Sequence, residues 1–71
     1  MKTNRPLHER LRHARRSINM IQAKVAQHMN VSQSTVSNWE RGIQEPTLEE
    51  LLKLSRLYAV KGFGRVKARV S

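Results

Sequence analysis

Apolar side chains recur along most of this chain with a helical period and change rhythm only near its end. Leu7, Leu11, Ala14 and Ile18 follow one another at spacings of four, three and four, which places them on one face of a helix. Pro6 can open that helix because its missing N–H has no partner in a first turn. The pattern predicts a helix from about Pro6 to Ser17, with Arg10, Arg12, His13 and Arg16 on its other face. Asn19 and Met20 read as a short turn. From Gln22 the pattern resumes with Val25, Ala26 and Met29, giving a second, short helix that stops near Asn30. Asparagine tolerates the left-handed backbone that ends a helix and turns the chain.

Ser32 reads as the N-cap of a third helix, and Val36 and Trp39 give that helix its apolar stripe, with an end at Gly42. The stretch IQEP reads as a loop. Thr47 and Glu50 have the spacing of a capping box ahead of LEELLKLSRLYA, the fourth helix. There Leu48, Leu51, Leu52, Ser55 and Tyr58 are expected to share a face, widened by Leu54 and Leu57, so leucine abundance predicts burial on more than one side. After Val60 the stretch KGFGRVKARVS brings two glycines and then Val66, Ala68 and Val70 alternating with Lys67 and Arg69. Three readings stay open for it: an unstructured basic tail, a strand pairing with the same segment of a second chain, or a helix. The division expected is one domain over 1–60 and a basic C-terminal tail over 61–71.

The short helices carry a constellation of fixed offsets. Counted from Gln22, a small residue, Ala26, comes four later, Asn30 eight later, Val36 fourteen later and Trp39 seventeen later. These offsets describe two helices crossing at a fixed angle. Ala26 has to be small where the next helix passes over it, and Val25, Val31, Val36 and Trp39 fill the wedge. This is a helix-turn-helix arrangement, whose second helix is presented to the DNA major groove. On the third helix Gln33, Ser34, Ser37 and Asn38 stand at offsets 0, 1, 4 and 5 and so share a face opposite Val36 and Trp39.

Charge sharpens this picture. Fourteen Lys and Arg against five Asp and Glu give +9, and a chain of 71 residues has room for one small core. The excess sits at the ends, with six basic residues over Lys2–Arg16 and four over Lys61–Ser71, while Ser17–Val60 is balanced. Basic extremities on a neutral core suit a phosphate-bearing partner. The absence of Cys removes disulfides and thiolate chemistry and is ordinary for a reducing cytoplasm, the expected location. No apolar run approaches the roughly 20 residues needed to span a bilayer, and the N-terminus lacks a signal peptide's apolar stretch.

The segments LHERLRHARR, QAKVAQHMNVSQSTVSNWERG and EPTLEELLKLSRLYAV together resemble the phage repressor and Cro type (XRE-like) of helix-turn-helix DNA-binding domain. The resemblance covers about Leu7 to Val60. It implies an all-α fold, a compact lambda-repressor-like bundle of four to five short helices with the start of the third in the major groove. Carried over residue by residue, Gln33, Ser34, Ser37 and Asn38 match positions that touch base edges. Gln22 matches a residue that bonds a DNA phosphate and braces the recognition helix. Arg41 and Gln44 match positions that contact the backbone, Thr35 can reach a phosphate or a thymine methyl, and Arg10, Arg12, Arg16 and Lys24 are backbone candidates by charge. Arg15 and Glu40 match a structural salt bridge, and Trp39, Ala26 and Val36 are expected to be scaffold.

Three departures from the family pattern stand out. Ile21 occupies the usual Ser or Thr cap position of the second helix, Asn30 replaces the commonest Gly of the turn, and KGFGRVKARVS stands where many relatives form an apolar fifth helix. Leu54, Leu57, Tyr58 and Phe63 are the expected substitute for the lost dimer surface. The chain is therefore expected to be a sequence-specific transcriptional regulator, a repressor of the phage or mobile-element type that binds double-stranded DNA as a weak homodimer on a palindromic operator. An antitoxin-type module that binds both DNA and a toxin protein is the alternative. No enzyme is expected, because no nucleophile, base and orienter stand at recognisable spacing. No cofactor or metal is expected either: His8 and His13 are five apart and no carboxylate pair completes them, so all three His, with His28, read as surface residues.

Overall fold

The computed structural model describes residues 5–70, with side chains over residues 5–61. Four helices follow in order: α1 (Leu7–Ser17), α2 (Gln22–Met29), α3 (Gln33–Arg41) and α4 (Leu48–Val70). No strand occurs among the described residues. No helix there is long and apolar enough to cross a membrane.

Three successive helices end in the same way. Asn19, Asn30 and Gly42 take left-handed φ values of 58°, 60° and 79°. After each, the next residue sends its N–H back over the helix end: Met20 to the Arg15 carbonyl, Val31 to Ala26 and Ile43 to Asn38, at 3.2, 3.0 and 3.0 Å. These bonds satisfy carbonyls that the helix itself leaves open, and they turn the chain within two residues. The helix starts differ more. Ser32 Oγ accepts the Thr35 N–H at 3.1 Å. Thr47 and Glu50 form the reciprocal capping box, with the Thr47 N–H donating to Glu50 Oε1 and the Glu50 N–H to Thr47 Oγ1. At α2, Ile21 offers no side-chain cap and is 67% exposed. Pro6 stands one residue ahead of α1 rather than inside it.

The core joins all four helices: Leu11, Val25, Ala26, Met29, Val36, Trp39 and Leu54 are buried. Val25 and Val36 are completely or almost completely enclosed, and Ala26 lies buried where α2 meets α3, as its small size requires. Leu7, Met20, Val31, Leu51, Leu57 and Tyr58 pack partly buried around this cluster.

One expectation fails in α4. Leu48 and Leu52 do not share the buried face; they are 74% and 51% exposed, and Ser55 is exposed with them. The inward stripe is Leu51, Leu54, Leu57 and Tyr58. Leu54 is consumed by the chain's own core, so it is not part of an outer patch; of the residues expected to replace the dimer surface, Leu57 and Tyr58 are partly buried and Phe63 lies outside the described side chains. Of the three readings open for the stretch after Val60, the structure takes the helix. The helix runs through Val60 to Val70, so the alternation of Val66, Ala68 and Val70 is neither a strand nor the start of an irregular tail. Extending an existing helix adds a hydrogen bond for each residue fixed, whereas a strand needs a partner. That gain outweighs Gly62 and Gly64, each costing about 1 kcal/mol against Ala in a helix interior.

Candidate nucleic-acid interface

Helix α3 has a polar outer side and a locked inner side. Gln33 and Ser34 are exposed and Ser37 and Asn38 half-buried, while Val36, Trp39 and Glu40 are buried against the rest of the fold. Thr35 lies between the two sides, half-buried, its hydroxyl 2.9 Å from Ser32 Oγ. Ser32 Oγ also stands 3.2 Å from Ser34 Oγ, so three hydroxyls cluster over the first turn.

What seats this helix is a buried ion pair. Arg15 of α1 donates to Glu40 through Nε to Oε2 at 2.8 Å and Nη2 to Oε1 at 2.9 Å. The remaining guanidinium nitrogen, Nη1, donates to the Met20 carbonyl at 2.8 Å. Gln22 Nε2 adds a fourth bond, to Glu40 Oε1 at 3.1 Å. One carboxylate therefore ties α3 to α1, and the same guanidinium reaches the α1–α2 turn. A two-bond Arg–carboxylate pair fixes orientation as well as distance. Hydrogen bonding to Glu40 raises the Arg15 pKa above its ordinary value against the opposing effect of burial, so the guanidinium stays charged. Nearby Tyr58 is held protonated. Burial chiefly, and then the Glu40 carboxylate, push its phenol up to about 12. The Trp39 indole N–H is buried without a partner among the described residues.

The expected backbone-contact residues are not all brought together. Gln22 is a brace in this structure: its amide is bonded to Glu40, and a primary amide retains a second N–H for another acceptor. Lys24 comes beside α3, because it and Gln33 line one shallow hollow with Ala23, Gln27 and Val31. Its ammonium lies 3.4 Å from Gln27 Oε1. Arg41 is exposed at the end of α3, and exposed Gln44 borders a different pocket beside His8 and Trp39. Arg10 is exposed on α1, and nothing in the described contacts joins it to α3. Arg12 and Arg16 lie together with His13 on that helix, around a separate recess.

Two residues escaped sequence reasoning. Gln27 shares the hollow beside Gln33, and the signal for it was the i, i+4 spacing from Ala23 on one face of α2. His8 is not a simple surface residue: it is half-buried under Gly42, where an added Cβ would stand 3.0 Å from His8 Nδ1. That contact joins the start of α1 to the end of α3 and has no counterpart in local spacing.

The helix-turn-helix family profile matches residues 11–62. Over 54 residues, 76% of this chain, the sequence is 39% identical to the HTH-type transcriptional regulator ImmR of Bacillus subtilis and 37% identical to the HTH-type transcriptional regulator DicA of Escherichia coli. Those matches cover 42% and 40% of the two proteins, so the chain spans less than half the length of these curated relatives. No solved structure gives a significant match. The match spans the ion pair, the turn at Asn30 and the polar helix α3 together, and the chain belongs to the helix-turn-helix family.

Proposed function

We propose that this chain is the DNA-binding part of a transcriptional regulator, reading an operator in the major groove with α3 and repressing by occluding a promoter. The observation that carries the reading is the division of α3 into a polar outer face and an inner face pinned by the Arg15–Glu40 pair. A rigid helix offering only hydrogen-bonding groups outward is what base readout needs, since misplacement by an ångström would cost the directional bonds. Gln33 and Asn38 are suited to bidentate pairing with adenine, and Ser34 and Ser37 to single bonds with base edges. Gln22, Thr35, Arg41, Gln44, Lys24 and Arg10 then serve as phosphate contacts that set register. The family match and the names of the two relatives support a binding module rather than an enzyme.

A single domain of this kind reads only a few base pairs. Two copies related by a twofold axis, reading half-sites about 34 Å apart, give a palindromic operator and a weak homodimer strengthened on DNA. The cytoplasm is the compartment that offers such DNA to a chain without cysteine.

Selection of bound duplexes from a random library tests this directly. A recovered palindrome with about one helical turn between half-site centres is the expected result. Recovery of no enriched sequence at all would overturn site-specific readout.

A further inference from the structure

On α4, Lys53, Arg56, Leu57, Val60 and Lys61 follow at i, i+3, i+4, i+7 and i+8, which is one continuous helical stripe. This stripe and the C-terminal end of α2 enclose an open groove of about 440 Å³. Its floor is apolar: Met29, which is also part of the core, with Leu57 and Val60, the last 67% exposed. Its rim is basic, with Lys53, Arg56 and Lys61 from α4 facing the His28 imidazole from α2. Among the described residues that line it, none is acidic.

We propose that this groove docks an acidic amphipathic segment of a partner protein, with apolar side chains on Met29, Leu57 and Val60 and carboxylates toward Lys53 and Arg56. Two features select this occupant. A nucleic acid would satisfy the rim but would leave the exposed valine and the apolar floor against a charged backbone. A second copy meeting this groove across a twofold axis would satisfy the floor but would set the same Lys53, Arg56 and Lys61 rim against itself. Methionine suits a docking floor because its unbranched thioether adapts to differently shaped side chains. None of the lining residues belongs to the outer face of α3, so the segment and DNA can be held at once. The proposal stands apart from operator reading, and neither falls with the other.

The test is an amide shift-mapping titration of the whole chain with a synthetic helical peptide carrying Leu at i, i+3, i+4 and i+7 and Glu at the flanking positions. Shifts centred on residues 28, 29, 53, 56, 57, 60 and 61 are expected, without displacement from duplex DNA. Val60→Ser, at an exposed site, should weaken the peptide about fivefold, and Lys53→Gln with Arg56→Gln about tenfold, with a loss of salt dependence. Control peptides with Leu→Ser or with Glu→Gln should bind about tenfold more weakly. Undiminished binding of either control, shifts centred on Gln33–Asn38, or no binding at millimolar peptide would overturn the proposal. So would the same shifts arising with duplex DNA alone, which would mark a phosphate site, or with protein concentration alone, which would mark a self-association surface.

Discussion

Arg15 and Glu40 stand 25 positions apart in the chain and meet through two hydrogen bonds of 2.8 and 2.9 Å, with side chains only 11% and 2% exposed. At that depth the pair is more important for what its loss would leave than for what its formation adds. Taking two charges out of water consumes most of their mutual attraction, but a buried guanidinium without its countercharge keeps only its bond to the Met20 carbonyl. Glu40→Gln should therefore lower stability by about 3 to 5 kcal/mol. Replacing both partners, Arg15→Met with Glu40→Leu, should cost much less than the single change. Urea denaturation followed by the fluorescence of Trp39, the single tryptophan, measures both. A loss under about 1 kcal/mol for the single variant would mean that water reaches the pair more freely than its burial indicates.

Gly42 closes α3 at φ 79°, and the imidazole of His8 lies directly beneath it. A side chain there meets two obstacles. The left-handed conformation costs an L-residue roughly 1 to 2 kcal/mol, and a Cβ at 3.0 Å from His8 Nδ1 forces that ring to move. Gly42→Ala should be destabilising, while Gly42→Ala with His8→Ala should recover only the steric share. Thermal denaturation of the two variants separates these contributions, and equal stability of both would assign the whole cost to the backbone.

Much of this fold was legible because its turns are chemically explicit. Asn30 and Gly42 are residue types that tolerate left-handed backbone, and Ser32, Thr47 and Glu50 are caps whose partners lie within three residues, so local spacing was sufficient to place them. The face of α4 was not legible in the same way. With leucine at 48, 51, 52, 54 and 57 the helix is apolar around much of its circumference, and its packing against α1 and α2 decides that Leu54 goes inward and Leu52 outward. The continuation past Val60 was obscured by an alternating pattern, which reports local side-chain order and not the cooperativity of a helix already formed. At the candidate interface, the polar face of α3 follows from helical geometry. The bracing part of Gln22 came from the family resemblance and not from helical geometry, because its acceptor, Glu40, lies 18 positions away.

Tyr58 packs against the core close to Glu40, and its phenol pKa is raised from 10.0 to about 12, by burial first and by the Glu40 carboxylate second. Between those two values an unfolded chain has released the phenolic proton while the folded chain keeps it. The unfolded state thus binds fewer protons, and stability falls as pH rises. The contribution is at full strength below pH 10.0 and is lost progressively toward about pH 12. Tyr58 is the single tyrosine, so phenolate absorbance reports it alone. A native midpoint well above that of the urea-unfolded chain is expected; coincident midpoints would place the hydroxyl in water.

Gln33 and Arg41 stand at opposite ends of α3, both exposed, and their proposed roles give opposite signatures. Gln33→Ala should weaken binding to the selected operator by about 1 to 3 kcal/mol and leave random duplex almost untouched, because an amide that pairs with a base edge discriminates only where that base is present. Arg41→Ala should weaken operator and random duplex alike and reduce the slope of log affinity against log salt by about one unit, because a phosphate contact releases a counterion whatever the sequence. Neither change touches the buried face of α3, so folding should be preserved in both. Titrations of each variant on both duplexes at several salt concentrations form the test. An equal loss on both duplexes for Gln33→Ala would move that residue from base reading to the backbone, and an unchanged slope for Arg41→Ala would remove it from the phosphate contacts.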